Sequence, residues 1–187
     1  MRAFIALDLP DRVKTYLQTV IRTLSEKEEE TRWVKSGNQH LTLKFLGEIE
    51  EGLKEKIIAV LKSSTQGFPS VRVRLNRIEG FPDSKKARVV VITLAYGVDE
   101  LKKLFEILEE GLSKIGFEKE RREFVPHITL GRRKIAKALP GNIRIEPIEF
   151  VLEDLVFYKS TLTQNGPIYE PIWKVKLTER GGENAER

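Results

Sequence analysis

The sequence contains no cysteine among its 187 residues. Disulfide frameworks, thiolate metal sites and cysteine nucleophiles are therefore excluded, and we expect a reducing, cytoplasmic environment. Long hydrophobic runs are also missing. The apolar stretch at residues 3–7 is interrupted by Asp8 and Pro10, which makes it too short for the core of a signal peptide, and no later run approaches the length of a membrane span. We expect no association with a membrane.

Neither sign of charge dominates the composition. The chain has 33 basic and 28 acidic residues, a formal net charge of +5, and a pI near 9.3. This modest excess is compatible with an anionic partner, but charge alone does not single out nucleic acid. The length and the 40% hydrophobic content suit one domain with a substantial core. We expect a single folded unit over residues 1–180 and a flexible tail at 181–187.

Segments with strand and helix periodicity alternate along the chain. Apolar or alternating stretches predict strands at 2–9, 32–34, 40–47, 71–78, 87–95, 127–132, 147–162 and 169–177. Apolar stripes predict three helices, the first opening at Pro10 and the third capped by Asp99. The acidic run at 25–30 is expected to be the solvated end of the first helix, and residues 163–167 to form a turn.

The two histidines of the chain stand in the same frame, as HLTL at 40–43 and HITL at 127–130. In a strand, the histidine and threonine of each motif share one face and the two apolar residues share the other. With eleven threonines in the chain, chance would place one at this position after both histidines about once in 300 cases. The order of elements around each motif suggests an internal duplication in which the two polar faces line one groove.

Three kinds of chemistry could use two imidazoles. A catalytic zinc site needs a third protein ligand, and neither strand offers Asp or Glu on the histidine's face, so we expect no metal. A serine nucleophile is disfavoured because neither motif contains serine. Acid–base catalysis fits best, because with an ordinary pKa near 6.5 one ring can be neutral while the other is protonated.

Hydroxyl and guanidinium groups near the histidines favour a phosphate ligand. Thr42 and Thr129 lie on the histidine faces, and GRRK at 131–134 brings basic side chains close to the groove. Strict alternation would place Arg132 on the opposite face, but Gly131 could permit a bulge that re-aims it. Strict alternation would likewise place Phe45 on the face opposite His40. Phe45 is therefore either a core residue or a residue that stacks on a base.

The sequence resembles the 2H phosphoesterases, and within them the RNA 2',3'-cyclic phosphodiesterases that are also called 2'-5' RNA ligases. The resemblance is carried by RAFIALDLP, RWV, HLTLKFLGE, GFPDSKKARVVVI, GFEKERREFVPHITLGRRK and VFYKSTLTQNGPIYE. It implies an α+β fold with two pseudo-symmetric lobes. Each lobe would be an antiparallel sheet with helices on its outer face, and the two His-x-Thr-x motifs would lie in the central groove of this single bilobal domain.

The resemblance also implies a reaction. RNA ends carrying a 2',3'-cyclic phosphate would be hydrolysed to a 2'-phosphate without metal or other cofactor, and 5'-hydroxyl RNA could be joined reversibly in a 2'-5' linkage without ATP. The implied site residues are His40 as proton donor, His127 as proton acceptor, Thr42, Thr129 and Arg132 as phosphate ligands, and Phe45 as a candidate for base stacking.

Two other functions stay open at this point. The substrate could instead be a small cyclic phosphate such as ADP-ribose cyclic phosphate, or the chain could be an RNA-binding module without catalysis. Matched imidazoles favour an enzyme over a binding module, because stacking and charge would suffice for binding. We expect a monomer without an obligate protein partner.

Overall fold

The computed structural model describes residues 1–28, 30–141 and 143–179. Within these ranges the chain forms an α+β fold of nine strands and three helices. In chain order the elements are β1 (Arg2–Asp8), α1 (Asp11–Lys27), β2 (Arg32–Trp33), β3 (His40–Glu48), α2 (Lys54–Thr65), β4 (Val71–Phe81), β5 (Ala87–Tyr96), α3 (Val98–Ser113), β6 (His127–Lys137), β7 (Glu149–Leu152), β8 (Asp154–Thr163) and β9 (Gly166–Lys176). The tail predicted at 181–187 lies outside the described residues.

The strands form two antiparallel sheets. The first has the order β3-β1-β8-β9, and the second has the order β2-β6-β5-β4-β7. The motif strand β3 pairs with β1 in the first sheet, as the motif strand β6 pairs with β5 in the second. Strands β3 and β6 also contact each other. The topology therefore brings the two His-x-Thr segments together where the sheets meet.

One apolar core holds both sheets. The buried stripe of α1 recurs at helical spacing and consists of Val13, Leu17, Val20, Ile21 and Leu24. It joins a single cluster of buried side chains that draws on both sheets and all three helices. Among the helices described, none is long and apolar enough to cross a membrane.

Some boundaries differ from the sequence prediction. Helix α3 begins at Val98 and is preceded by Gly97 with φ +81°, so the prediction of Asp99 as its cap was wrong. A left-handed glycine sets the entry angle there without a side-chain cap. The acidic run after α1 is not wholly solvated either. Glu28 is buried in an ion pair with Arg133, which ties the end of α1 to β6.

The segment 147–162 forms two strands in different sheets. Strand β7 pairs with β4, whereas β8 pairs with β1 and β9. The prediction of one continuous strand was wrong because both pieces are apolar enough to be buried, and periodicity carries no mark of the change of sheet. The predicted turn at 163–167 is confirmed as the β8–β9 hairpin, with Gly166 at φ +105°.

Candidate active site

The two motif strands share one local conformation. From His40 and from His127 onward, the order of buried, half-buried and exposed side chains is the same over nine residues. The pairing register slips at the same place in both strands, leaving Leu43 in β3 and Leu130 in β6 without a counterpart on the neighbouring strand. Each motif therefore contains a β-bulge directly after its threonine.

The bulge decides on which face of its strand each of two predicted residues lies. An extra residue on the buried side returns Phe45 to the face of the first motif and Arg132 to the face of the second, and both side chains are exposed. They occupy matching positions in the two strands. Arg133, which the sequence placed near the groove, instead lies buried and ion-paired with Glu28. It points away because the alternation resumes after the bulge.

Gly131 has a different role from the one predicted. Lys44 holds the matching position in β3, so this bulge does not require glycine. A Cβ at Gly131 would lie 2.6 Å from Thr31 Cγ2 and 2.7 Å from Trp33 Cε3. Glycine is needed at this position because the β2 segment packs directly onto the backbone of β6.

His127 is oriented by the chain just before it. Its Nδ1 lies 2.7 Å from the carbonyl oxygen of Val125. A carbonyl only accepts, so Nδ1 carries the proton and Nε2 of the neutral ring keeps a free lone pair. The ring meets Phe81 edge-on at 5.0 Å between centroids. Burial lowers the pKa of His127, the Val125 carbonyl opposes this shift, and the charge of Arg132 adds to it.

His40 sits in an aromatic surround that the sequence did not predict. Its ring centroid lies 4.9 Å from Phe4 and 5.3 Å from Tyr169, and Tyr158 follows at 6.2 Å. Burial lowers the pKa of His40 to about 4, against the opposing effects of the Asn38 backbone and the Asp8 carboxylate, while Lys14 and Arg132 lower it further. The sequence signal for this surround is weak, because the aromatic residues come from β1, β8 and β9.

Burial therefore favours the neutral form of both imidazoles in the free protein. Desolvation penalises the charged ring in each case. The sequence predicts that one ring is protonated under these conditions, and that state needs an additional negative charge beside it. A bound phosphate would supply such a charge.

A groove of about 540 Å³ runs along the polar faces of the two motifs. Its lining includes the predicted residues Thr42, Phe45, His127, Thr129 and Arg132. His40 lies beside the groove, within the electrostatic influence of Arg132. The structure thus brings five of the six predicted residues together around one opening, whose lining does not include His40, and the charge of Arg132 acts on both histidines. In the described part of the chain, no three His, Asp or Glu side chains are grouped to hold a metal ion.

Lys44 links the two motifs, and sequence reasoning missed it. Its Nζ lies 2.7 Å from Glu109 Oε1 and donates to the carbonyl of Glu118 at 2.7 Å. Glu109 in turn accepts from the backbone N–H of Glu120 at 2.6 Å. These buried contacts fix the segment that leads to Val125 and hence to the His127 ring. A lysine between the apolar residues Leu43 and Phe45 was the available signal.

Comparison with known proteins shows the family to which the chain is similar. The family described as the 2'-5' RNA ligase superfamily matches residues 11–163. An RNA 2',3'-cyclic phosphodiesterase of Thermotoga maritima is 36% identical over 181 residues, covering 95% of this chain and 96% of the relative. Another from Methanocaldococcus jannaschii is 38% identical over 179 residues, covering 92% and 98%.

Solved structures are similar over nearly the whole chain. A crystal structure from Thermus thermophilus superposes with a TM-score of 0.82 at 27% identity, covering 96% of this chain and all of that one. Escherichia coli LigT complexed with 3'-AMP superposes with a TM-score of 0.75 at 26% identity, covering 95% and 98%. By family match, by near full-length relatives and by fold, the chain belongs to the 2'-5' RNA ligase superfamily.

Proposed function

We propose that this protein is an RNA 2',3'-cyclic phosphodiesterase that opens the cyclic phosphate by acid–base catalysis between His127 and His40. The observation that carries the proposal is the pair of imidazoles in matched bulged strands, with threonines and Arg132 beside them. The names of the relatives from Thermotoga maritima and Methanocaldococcus jannaschii support the substrate class.

His127 acts as the general base. Because the Val125 carbonyl holds the proton on Nδ1, Nε2 is available to accept a proton from an attacking water. The lowered pKa keeps this ring neutral and ready to accept. The hydroxide that forms adds to phosphorus opposite the leaving ribose oxygen.

His40 acts as the general acid. Its low pKa makes the protonated ring a strong donor but a rare species in the free protein. Binding the anionic cyclic phosphate raises the pKa, because an opposite charge nearby favours the imidazolium. The proton then passes to the departing 3'-oxygen, which leaves the phosphate on O2'. Asp8, whose carboxylate already favours the charged ring, assists the same change.

Thr42, Thr129 and Arg132 bind the phosphoryl oxygens. Their hydroxyl and guanidinium donors are fixed on the rigid motif strands, so they meet the charge that builds up on these oxygens without reorganising. Arg132 disfavours imidazolium at both histidines. A phosphate bound between these groups offsets that repulsion and so couples binding to protonation of His40.

The same site supports ligation of RNA without ATP. A 5'-hydroxyl of a second RNA would replace water, His127 would take its proton, and His40 would protonate the 3'-oxygen, giving a 2'-5' linkage. The cyclic ester already carries the energy that is released on opening. Water is abundant, so hydrolysis dominates unless the second RNA is held in line by the protein.

Incubation with a nucleoside 2',3'-cyclic phosphate tests the proposal. We expect a 2'-phosphate product, activity that persists in EDTA, and losses of about 10²–10⁴ in rate for His40→Ala and for His127→Ala. Circular dichroism of each variant controls for folding. Full activity of either variant, a 3'-phosphate product or abolition of activity by EDTA would contradict the mechanism.

The same assays separate the two alternative functions. RNA binding without turnover would favour a binding module, and much faster turnover of ADP-ribose cyclic phosphate would favour a small-molecule substrate.

A further inference from the structure

A second cleft lies on the far side of Arg132 from the catalytic groove. It has a volume of about 530 Å³ and is formed along the β2–β6 edge of the second sheet. Its lining includes Glu30, Arg32, Arg132, Lys134, Ile135 and Lys137. None of the chemistry proposed above uses this cleft except through Arg132.

Three cations that line the cleft are exposed to solvent. Arg32 pairs directly with Arg132 across the β2–β6 ladder, so the two side chains emerge on the same face. Lys134 follows Arg132 by two residues, is likewise exposed, and lines the same cleft. Within residues 1–28, 30–141 and 143–179, no carboxylate forms an ion pair with any of these three side chains.

The other charged side chains that line the cleft are each held in an ion pair. Lys137 Nζ lies 3.2 Å from Glu30 Oε2, and the buried Arg133 is paired with Glu28. Ile135 adds an apolar side chain that is 70% exposed. The cleft therefore offers three cations without an ion-pair partner in the described part of the chain, beside the apolar side chain of Ile135, which matches the phosphates and the sugar or base faces of a single strand.

Arg132 lines both the cleft and the catalytic groove. A phosphate held by Arg132 in the groove thus lies at the boundary with a cleft that Arg32 and Lys134 also line. The geometry points to the β2–β6 cleft as the binding site for the RNA strand that carries the cyclic phosphate, with Arg32 and Lys134 contacting the phosphodiesters that precede the cyclic end. This inference rests on the proposed function for the position of that end.

The double variant Arg32→Gln/Lys134→Gln tests this assignment, and Lys56→Gln/Lys62→Gln on α2 is a charge-matched control. Both control lysines are exposed, and neither lines the groove or the cleft. Two substrates are compared, a short single-stranded RNA with a 2',3'-cyclic end and the corresponding mononucleotide. We expect the cleft variant to raise KM for the RNA while leaving the mononucleotide and the control variant unchanged.

The salt dependence gives a second readout. Each phosphate contact to a single strand contributes about 0.7 to the slope of log K against log salt, so two contacts account for up to about 1.4. Between about 50 and about 200 mM salt, RNA affinity of the wild type should then fall up to about sevenfold more than that of the cleft variant. The control variant should keep the wild-type slope.

Other outcomes would overturn the assignment. An unchanged RNA KM and salt slope would show that the strand does not use the cleft, and equal losses on RNA and mononucleotide would place the damage in the catalytic groove. Binding of a fluorescently labelled RNA is measured in parallel. Absence of turnover by the wild type would then count against the proposed function, while the binding data would still decide whether the cleft holds RNA.

Discussion

Asp8 lies directly opposite His40 in the β1–β3 pair, whereas Thr93 holds the position opposite His127 in the β5–β6 pair. The two motifs are otherwise alike in frame, burial and bulge, so these cross-strand partners distinguish the two imidazoles. A carboxylate favours the protonated ring, and a threonine carries no charge. The two motif strands thus differ in the way that the proposed proton donor at His40 and the proposed acceptor at His127 require.

Removing the Asp8 charge should lower the fraction of His40 that is protonated and can donate a proton. In Asp8→Asn the pKa of His40 should fall further, because the carboxylate opposes the effect of burial. Each pKa unit lost leaves about tenfold less protonated donor near neutral pH, so kcat/KM should fall by that factor there while the low-pH flank moves to lower pH. The chain has only two histidines, so NMR titration of the ring resonances, assigned with His127→Ala, measures the shift directly.

Lys14→Gln provides the matched control for Asp8→Asn. Lys14 Nζ lies 2.9 Å from Asp8 Oδ1, and its charge lowers the pKa of His40. Both variants break the same ion pair, but the lysine variant should move the pKa of His40 upward. Shifts in the same direction in the two variants would indicate a structural disturbance and would contradict the electrostatic role of Asp8.

The pH dependence of the reaction should reflect both lowered pKa values. Activity requires a protonated His40 and a neutral His127, so kcat/KM should be bell-shaped with flanks at the pKa values of the free protein. One is about 4, and the other is lowered from 6.5, which places the maximum below 6.5. The profile of kcat should lie at higher pH, because the bound phosphate anion raises both pKa values. Rates on a cyclic mononucleotide from about pH 4 to about pH 9 provide the measurement. A maximum of kcat/KM on the alkaline side of neutrality would refute this assignment.

Arg132 and Phe45 hold matching positions but should affect different kinetic constants. Arg132→Gln removes a charged donor from the phosphate and should lower kcat by about 10²–10³. Phe45, 60% exposed, should act by stacking on a base, so Phe45→Leu should raise KM by the equivalent of about 1–3 kcal/mol with little change in kcat. Steady-state kinetics on one RNA separate the two effects. Strong destabilisation by Phe45→Leu with an unchanged KM would instead identify Phe45 as a core residue.

The sequence predicted some features of the candidate site and missed others. Both motifs, and the face that each histidine shares with its threonine, follow from a period of two, whereas the face of Arg132 depends on the bulge. The bulge in β6 was predicted at Gly131, but the matching bulge in β3 was not, because Lys44 in the same place gives no such sequence signal. The aromatic surround of His40 also depends on distant strands, which only the sheet order brings together.

The structure gives a different reason for glycine at position 131 from the one predicted from the sequence. The glycine suggested backbone freedom, yet what the structure requires is space for Thr31 and Trp33. Gly131→Ala should therefore push β2 away from β6 and lower the free energy of unfolding by about 1–3 kcal/mol. Gly52→Ala, where a Cβ would meet nothing within 4 Å, serves as the control and should be nearly neutral. Chemical denaturation of both variants measures the difference.

Adding Trp33→Leu to Gly131→Ala should recover part of the loss in the free energy of unfolding, because the smaller side chain makes room for the new methyl group. Strictly additive losses would show that this contact is not the cause.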